Sequence, residues 1–284
     1  MEIIQSGEST AELSMLERAA TCAEGLETVP AVARRLLALA SDPDAAFADI
    51  VKVIASDATL TARVLRLAAS ALYGGRAPST LNAAVVRLGL NEVRNLALSA
   101  SLSAKSPDAF HRSLSEYSLR SAVLAEALAK RLGRGRFCEP FVCALLQELG
   151  TLVLAKLEGA PYHAVVGTIG SREQVERERK VFGFTHCDIG AFAVQRWNLF
   201  AGIEQVIQFH HDPLHAEFLA FPAPVLATVQ LVALTSALLE SGEEALSSEA
   251  GGALVARLGT SAEVVREELA RAQPLMAQYL AGLN

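Results

Sequence analysis

Apolar residues recur at steps of three and four along almost the whole chain, and no stretch alternates strictly in the manner of a half-buried strand. A helix that buries one face needs a period near 3.6 and a strand needs a period of two, so the pattern predicts an all-α fold. Five short helices are expected over residues 31–40, 47–56, 59–72, 81–88 and 92–102, separated by Asp42-Pro43-Asp44, Asp57, Gly74-Gly75 with Pro78, and residues 89–91. A longer set follows over 114–132, 137–157, 186–197, 202–211, 224–239 and 262–280. Thr185-His186-Cys187-Asp188 and Thr260-Ser261-Ala262-Glu263 match capping boxes that would fix two of those starts. The change of helix length around 103–109, which contains Pro107, marks the boundary between two lobes, and four parts are expected in all. These are an N-terminal helical extension (1–24), a short-helix lobe (25–106), a second helical lobe (107–240), and a loop with a C-terminal helix (241–284).

Charge and cysteine usage exclude several function classes. A formal net charge of −6 argues against a protein that embraces a phosphate backbone, because that affinity comes from clustered Lys and Arg; no nucleic-acid partner is expected. The basic stretch from Lys130 to Arg136 lies between helical patterns and reads as a solvated turn. Cys22, Cys138, Cys143 and Cys187 form no CxxC pair, which fits a reduced, cytoplasmic chain without a zinc knuckle. The first ten residues lack the basic flank and apolar run of a secretory signal. Residues 218–239 carry no charge, but Pro222 and Pro224 start the helix late and leave barely enough length for a bilayer core of roughly 30 Å. A buried core helix is expected there, and no membrane span.

Two sets of phrases resemble the HD-related output domain (HDOD). The first runs through Val29-Pro30-Ala31-Val32-Ala33, then Ser56-Asp57-Ala58-Thr59-Leu60 to Leu72-Tyr73, then Ala83-Ala84-Val85-Val86-Arg87-Leu88-Gly89. The second comprises Leu146-Gln147-Glu148-Leu149-Gly150, His186-Cys187-Asp188-Ile189-Gly190, Trp197, and His210-His211-Asp212-Pro213. The resemblance spans about residues 25–240 and implies an HD-phosphodiesterase-like helical fold whose 107–240 part is a degenerate HD-type lobe. In catalytic relatives a His-Asp pair, an earlier histidine and a later aspartate hold divalent metal that activates water. Here those positions read Gln147-Glu148, Tyr117 and the neighbourhood of Leu234-Thr235. Asparagine, usual in the family at the position of Ala69, is also missing. The resemblance therefore implies a regulatory module of bacterial signalling, with no catalytic residue, no cofactor and no metal.

The residues leave two function classes open. As a signalling output or scaffold module, the chain would bind signalling proteins or a small effector through Asp57, Arg63, Arg66, Ser70 and Tyr73, and the sequence leaves a homo-oligomer open. As a metal-dependent phosphohydrolase or cyclic-dinucleotide phosphodiesterase, it would use an atypical site of Glu148, His186, His210 and His211. His210 falls on the stripe Ile203, Val206, Ile207, while a helix continued through His211 would turn that side chain about 100° away. Glu148 shares a helical face with Phe141 and Leu145, so it is expected either to be partly buried with His186 or an arginine as partner, or to reach water at the rim. Asp57 reads first as a helix cap, and Leu65 and Leu67 as core positions of the 59–72 helix.

Overall fold

The computed structural model describes residues 35–36, 39, 46–103, 109–133, 136–196, 201–215 and 220–281. Among these residues there is no strand; the chain is helical, as its period demands. The expected 1–24 extension, the Val29-Pro30 phrase and Trp197 lie outside the described residues.

The chain divides into two compact units. One holds Glu27–Leu119 and Arg271–Asn284, the other Arg120–Ala270. The division falls inside the helix Ala109–Leu132, and the residues after 240 belong partly to each unit. The first unit contains α1 (Phe47–Ala55), α2 (Ala58–Ala68), a 3₁₀ turn (Ala71–Tyr73), α3 (Leu81–Leu88), α4 (Leu90–Ser103), the start of α5 (Ala109–Leu132) and the end of α14 (Ala262–Ala281). Helices α1 to α4 pack on one another through Ile50, Val53, Ile54, Leu60, Val64, Leu67, Val85 and Leu88, all buried. Asp57 starts α2 as expected, its Oδ1 accepting the Leu60 N–H at 2.9 Å. Leu65 is only partly buried, so the inward face of α2 is Leu60, Val64, Leu67 and Ala68. Gly74, at φ 98°, closes the turn after α2, where a side chain would be strained. Arg87 ties that turn to α3, donating to the carbonyls of Ala68 (2.9 Å) and Arg76.

The second unit contains the rest of α5, then α6 (Pro140–Leu146), α7 (Leu149–Glu158), α8 (Ala160–Val166), α9 (Arg172–Phe182), α10 (His186–Arg196), α11 (Ile203–Phe209) and α12 (Ala223–Ser241). A 3₁₀ segment (Gly242–Ser247), α13 (Glu249–Arg257) and the start of α14 complete it. The helix expected over 137–157 is broken at Gln147-Glu148, and α8, α9 and α13 were not expected. The Thr185 box forms: Asp188 Oδ2 accepts the Thr185 N–H at 2.8 Å and Thr185 Oγ1 accepts the Asp188 N–H at 3.4 Å. At the start of α14 the cap is instead Ser261, whose Oγ accepts the Val264 N–H at 3.3 Å. Two segments, Pro140–Glu158 and Ala223–Ser247, are long and apolar enough to cross a membrane. Buried residues make up 78% and 61% of their most apolar windows, the condition of core helices.

Candidate functional site

The break at Gln147-Glu148 is held open by close packing of α7 on α10. Gly150 and Gly190 face each other there, and a Cβ on Gly150 would lie 2.6 Å from the His186 carbonyl carbon and 2.8 Å from the Gly190 nitrogen. Only glycine allows backbones to approach so closely. That approach sets Glu148, at the start of α7, against His186, at the start of α10.

Glu148 is 1% exposed, so the rim position is overturned. Its Oε2 lies 3.6 Å from His186 Nε2 and its Oε1 lies 3.6 Å from His210 Nε2. Thr151 Oγ1 donates to Oε2 at 2.8 Å. On its other side His186 is held by Glu178, whose Oε2 accepts from the ring Nδ1 at 2.8 Å and from the backbone N–H at 2.7 Å. Glu178 Oε1 accepts from Tyr162 Oη at 2.6 Å and from Gln174 Nε2 at 2.9 Å, and Gln174 also donates to Thr151. His210 Nδ1 donates to the Ile207 carbonyl at 2.7 Å, which aims Nε2 at Glu148. His211 joins too, its ring 4.2 Å from that of His210 and 5.2 Å from that of His186. The expected turn of about 100° from His210 still leaves the His211 ring within the cluster.

Burial alone would raise the pKa of Glu148, but the His186 imidazolium, with His210 and His211, outweighs it and holds the carboxyl below the usual range. Glu178 follows the same logic, burial opposed by His186. Burial would lower the two imidazoles facing them; Cys187 and the carboxylates win, pushing His186 up and His210 to about 9. Burial would likewise raise the thiol of Cys187, yet His186 and His210 bring it down to about 7. His211 goes the other way, lowered by burial and by its two charged neighbours.

The positions that depart from the ligand pattern are satisfied differently. Gln147 Oε1 accepts from Ser236 Oγ at 3.2 Å, and Thr235 is paired with Ser121 at 2.9 Å and with the Val232 carbonyl. Tyr117 belongs to the first unit, on α5. Of the five partner-binding candidates, Arg63, Arg66 and Ser70 line one cavity of the first unit. Asp57 is used as the cap of α2, and Tyr73 sits half-buried on the 3₁₀ turn.

The HDOD domain model matches residues 26–213. The chain belongs to the HDOD family. Among solved structures it is similar to an HDOD domain protein of unknown function from Geobacter sulfurreducens, at 25% identity and TM-score 0.72, covering 94% of this chain and 99% of that one. A Marinobacter aquaeolei VT8 protein named for signal transduction is 25% identical at TM-score 0.69, covering 90% of this chain and 58% of that one. A Shewanella amazonensis SB2B protein named for phosphohydrolase activity shares the fold at 22% identity and TM-score 0.69, covering 94% and 98%. An uncharacterized protein of Treponema pallidum (strain Nichols) is 28% identical over 240 residues, 78% of this chain; the match spans about half of that relative, 45% of its length.

The HDOD cluster can be tested against the metal that HD-type catalysis implies. Among the described residues, Glu148 Oε1, His210 Nε2 and His211 Nε2 are buried without a hydrogen-bond partner. The ligand atoms of His186, Cys187, His210 and His211 lie within 4.8 Å of one another. Separations of 3.6 Å between ligand atoms are close to the edge of roughly 3.5 Å set by zinc–nitrogen and zinc–sulfur bond lengths. This donor set fits one cation of borderline softness, which only the metal-dependent alternative anticipates; it does not fit a carboxylate-bridged pair. His186, Cys187, His210 and His211 would hold it, with the Glu148 carboxylate facing two of those histidines, and the Glu178 to His186 bond supplies the outer carboxylate such a histidine needs. A bound divalent ion would supply two positive charges against the Glu148 and Glu178 carboxylates, the same compensation two imidazolium protons provide.

Sequence inspection missed Glu178, Gln174 and Cys187. α9 is so polar that it reads as a solvated segment, yet Ser171-Arg172-Glu173-Gln174 is a capping-box match, and Ser171 Oγ does accept the Gln174 N–H at 3.2 Å. From that start Gln174 and Glu178 fall one turn apart on one face.

Proposed function

We propose that this HDOD chain is a cytoplasmic signal-transduction output module without hydrolytic activity, acting through protein partners or a small effector. The observation that carries the proposal is the closure of the histidine and carboxylate cluster: Glu148, His186 and His210 are each at most 1% exposed and point at one another. A catalytic metal centre keeps an open position for water and substrate, whereas a site filled by protein donors is structural. Similarity to the Marinobacter protein named for signal transduction supports the regulatory half of the proposal. On this reading binding falls to the short-helix lobe around Arg63, Arg66, Ser70 and Tyr73.

The experiment is an assay of the full chain against phosphomonoesters, phosphodiesters and cyclic dinucleotides, with manganese, iron or zinc added in turn. Turnover at background is expected. The unpartnered donor atoms favour the rival phosphohydrolase reading, which wins if turnover appears and is lost in Glu148→Gln.

A further inference from the structure

The first unit contains a cavity of about 130 Å³ lined by Arg63, Arg66, Leu67 and Ser70 of α2 and its end, by Leu96 of α4, and by Gln278 near the end of α14. One water needs roughly 10–15 Å³ of such space, so the cavity has room for a small organic molecule. Leu67 and Leu96 are buried and make an apolar wall. The polar groups around it are unspent. Ser70 Oγ and Gln278 Oε1 are buried without a hydrogen-bond partner among the described residues. The Ser70 backbone carbonyl is fully engaged, accepting from Tyr73 (3.0 Å) and Gly75 (2.9 Å), so the hydroxyl is not needed to close the turn. Neither arginine closes an ion pair with a described carboxylate.

The electrostatics point the same way. The Arg63 guanidinium has its pKa lowered, first by burial and then by the Arg66 charge, against a weaker opposing influence from Asp57. Two guanidiniums three residues apart on one helix face repel unless an anion lies between them. A buried hydroxyl left unsatisfied costs free energy that a hydrogen-bonding ligand would recover.

We infer that this cavity is a binding site for a small organic oxyanion, a phosphate monoester or carboxylate. Its acid group would meet Arg63, Arg66 and the Ser70 hydroxyl, and its apolar body would lie on Leu67 and Leu96. Guanidinium forks suit planar or tetrahedral oxyanions better than any neutral group, and the buried hydroxyl adds one donor. The site deepens the small-effector half of the proposed function and rests on that reading for its role.

The test is calorimetric titration of the full chain with phenyl phosphate, benzoate, inorganic phosphate and, as the neutral control, benzyl alcohol. Phenyl phosphate or benzoate should bind, inorganic phosphate more weakly, and benzyl alcohol at least tenfold more weakly than the better aromatic anion. Which aromatic anion binds better identifies the acid group. Arg63→Ala and Ser70→Ala should each weaken binding tenfold or more. Ser70→Ala should do so without lowering the melting temperature of the free protein, because the hydroxyl has no partner to lose. Equal binding of benzyl alcohol, binding of neither aromatic anion, or unchanged affinity in both folded variants would overturn the site. Such a failure would leave the non-catalytic reading standing, whereas Glu148-dependent hydrolysis would remove that reading and leave the cavity untouched.

Discussion

The two units spend their polar residues in opposite ways. In the first, aliphatic side chains of α1 to α4 form the core, while Ser70 Oγ and Gln278 Oε1 are left beside a cavity, near Arg63, without a hydrogen-bond partner among the described residues. In the second, the buried set includes Gln147, Glu148, Thr151, Gln174, Glu178, His186 and His210, and most of these bond one another. Buried charge is tolerated only when it is paired, so the second unit has committed most of these groups to one internal arrangement, the facing Glu148 Oε1, His210 Nε2 and His211 Nε2 excepted. Unsatisfied groups at an accessible cavity, by contrast, are available to a ligand. The comparison assigns order to one unit and recognition to the other, and each half can be broken separately.

The largest effect is expected where one carboxylate serves several donors. Glu178→Gln removes the charge that holds His186, Tyr162 and Gln174 and should destabilise the chain by about 3–5 kcal/mol, measured by urea unfolding. A loss below about 1 kcal/mol would mean the network is not what orders this unit. In the aliphatic unit, Leu60→Ala should cost about 2–4 kcal/mol, whereas Leu65→Ala, on a partly buried position, should cost less than about 1. Equal costs would show that the inward face of α2 is misassigned. Next comes the cation. Zinc added to chelator-treated protein at about 100 times its dissociation constant should stabilise the fold by about 2.7 kcal/mol, and His210→Ala should remove most of that gain. No thermal shift at any zinc concentration would return the cluster to a metal-free remnant.

How much of this was legible beforehand also divides by unit. The aliphatic unit was open to periodicity: the bounds 81–88 were found as they stand, and Asp57 was recognised as a cap from its position alone. On α2 Leu67 is buried as expected and Leu65 is not, because both are leucine and composition does not say which side of a helix meets a neighbour. In the second unit, the four residues Glu148, His186, His210 and His211 were named together and do converge. The break in front of α7 was hidden because an apolar run on both sides of Gln147-Glu148 continues the helical period unchanged. Its cause is Gly150 pressed against Gly190, a contact between residues forty apart that local pattern does not carry. α9 stayed hidden because its buried face is polar, and hydrophobic periodicity has nothing to register where Gln174 and Glu178 replace leucines.

The smallest expected effect concerns Cys138, at the approach to α6, and it tests whether the second unit is as closed at its margin as at its cluster. Cys138 is partly buried; its backbone N–H donates to Thr228 Oγ1 at 2.8 Å and its thiol to the Ala201 carbonyl at 3.3 Å. Burial, with Glu139 and Glu204 adding their negative charge, pushes the thiol up to about 11. Only the thiolate is alkylated, so at pH 8 this cysteine should present roughly 200-fold fewer reactive groups than a free cysteine with pKa near 8.5. Site-resolved mass spectrometry after iodoacetamide treatment should therefore find Cys138 labelled slowly at pH 8, with the rate rising about tenfold per pH unit towards 10 while the circular dichroism spectrum is unchanged. Labelling at the free-thiol rate at pH 8, in a chain still folded by that criterion, would mean that the Thr228 and Ala201 contacts open readily. The contrast between a locked second unit and a receptive first one would then hold only for the buried cluster, and not for the helices that surround it.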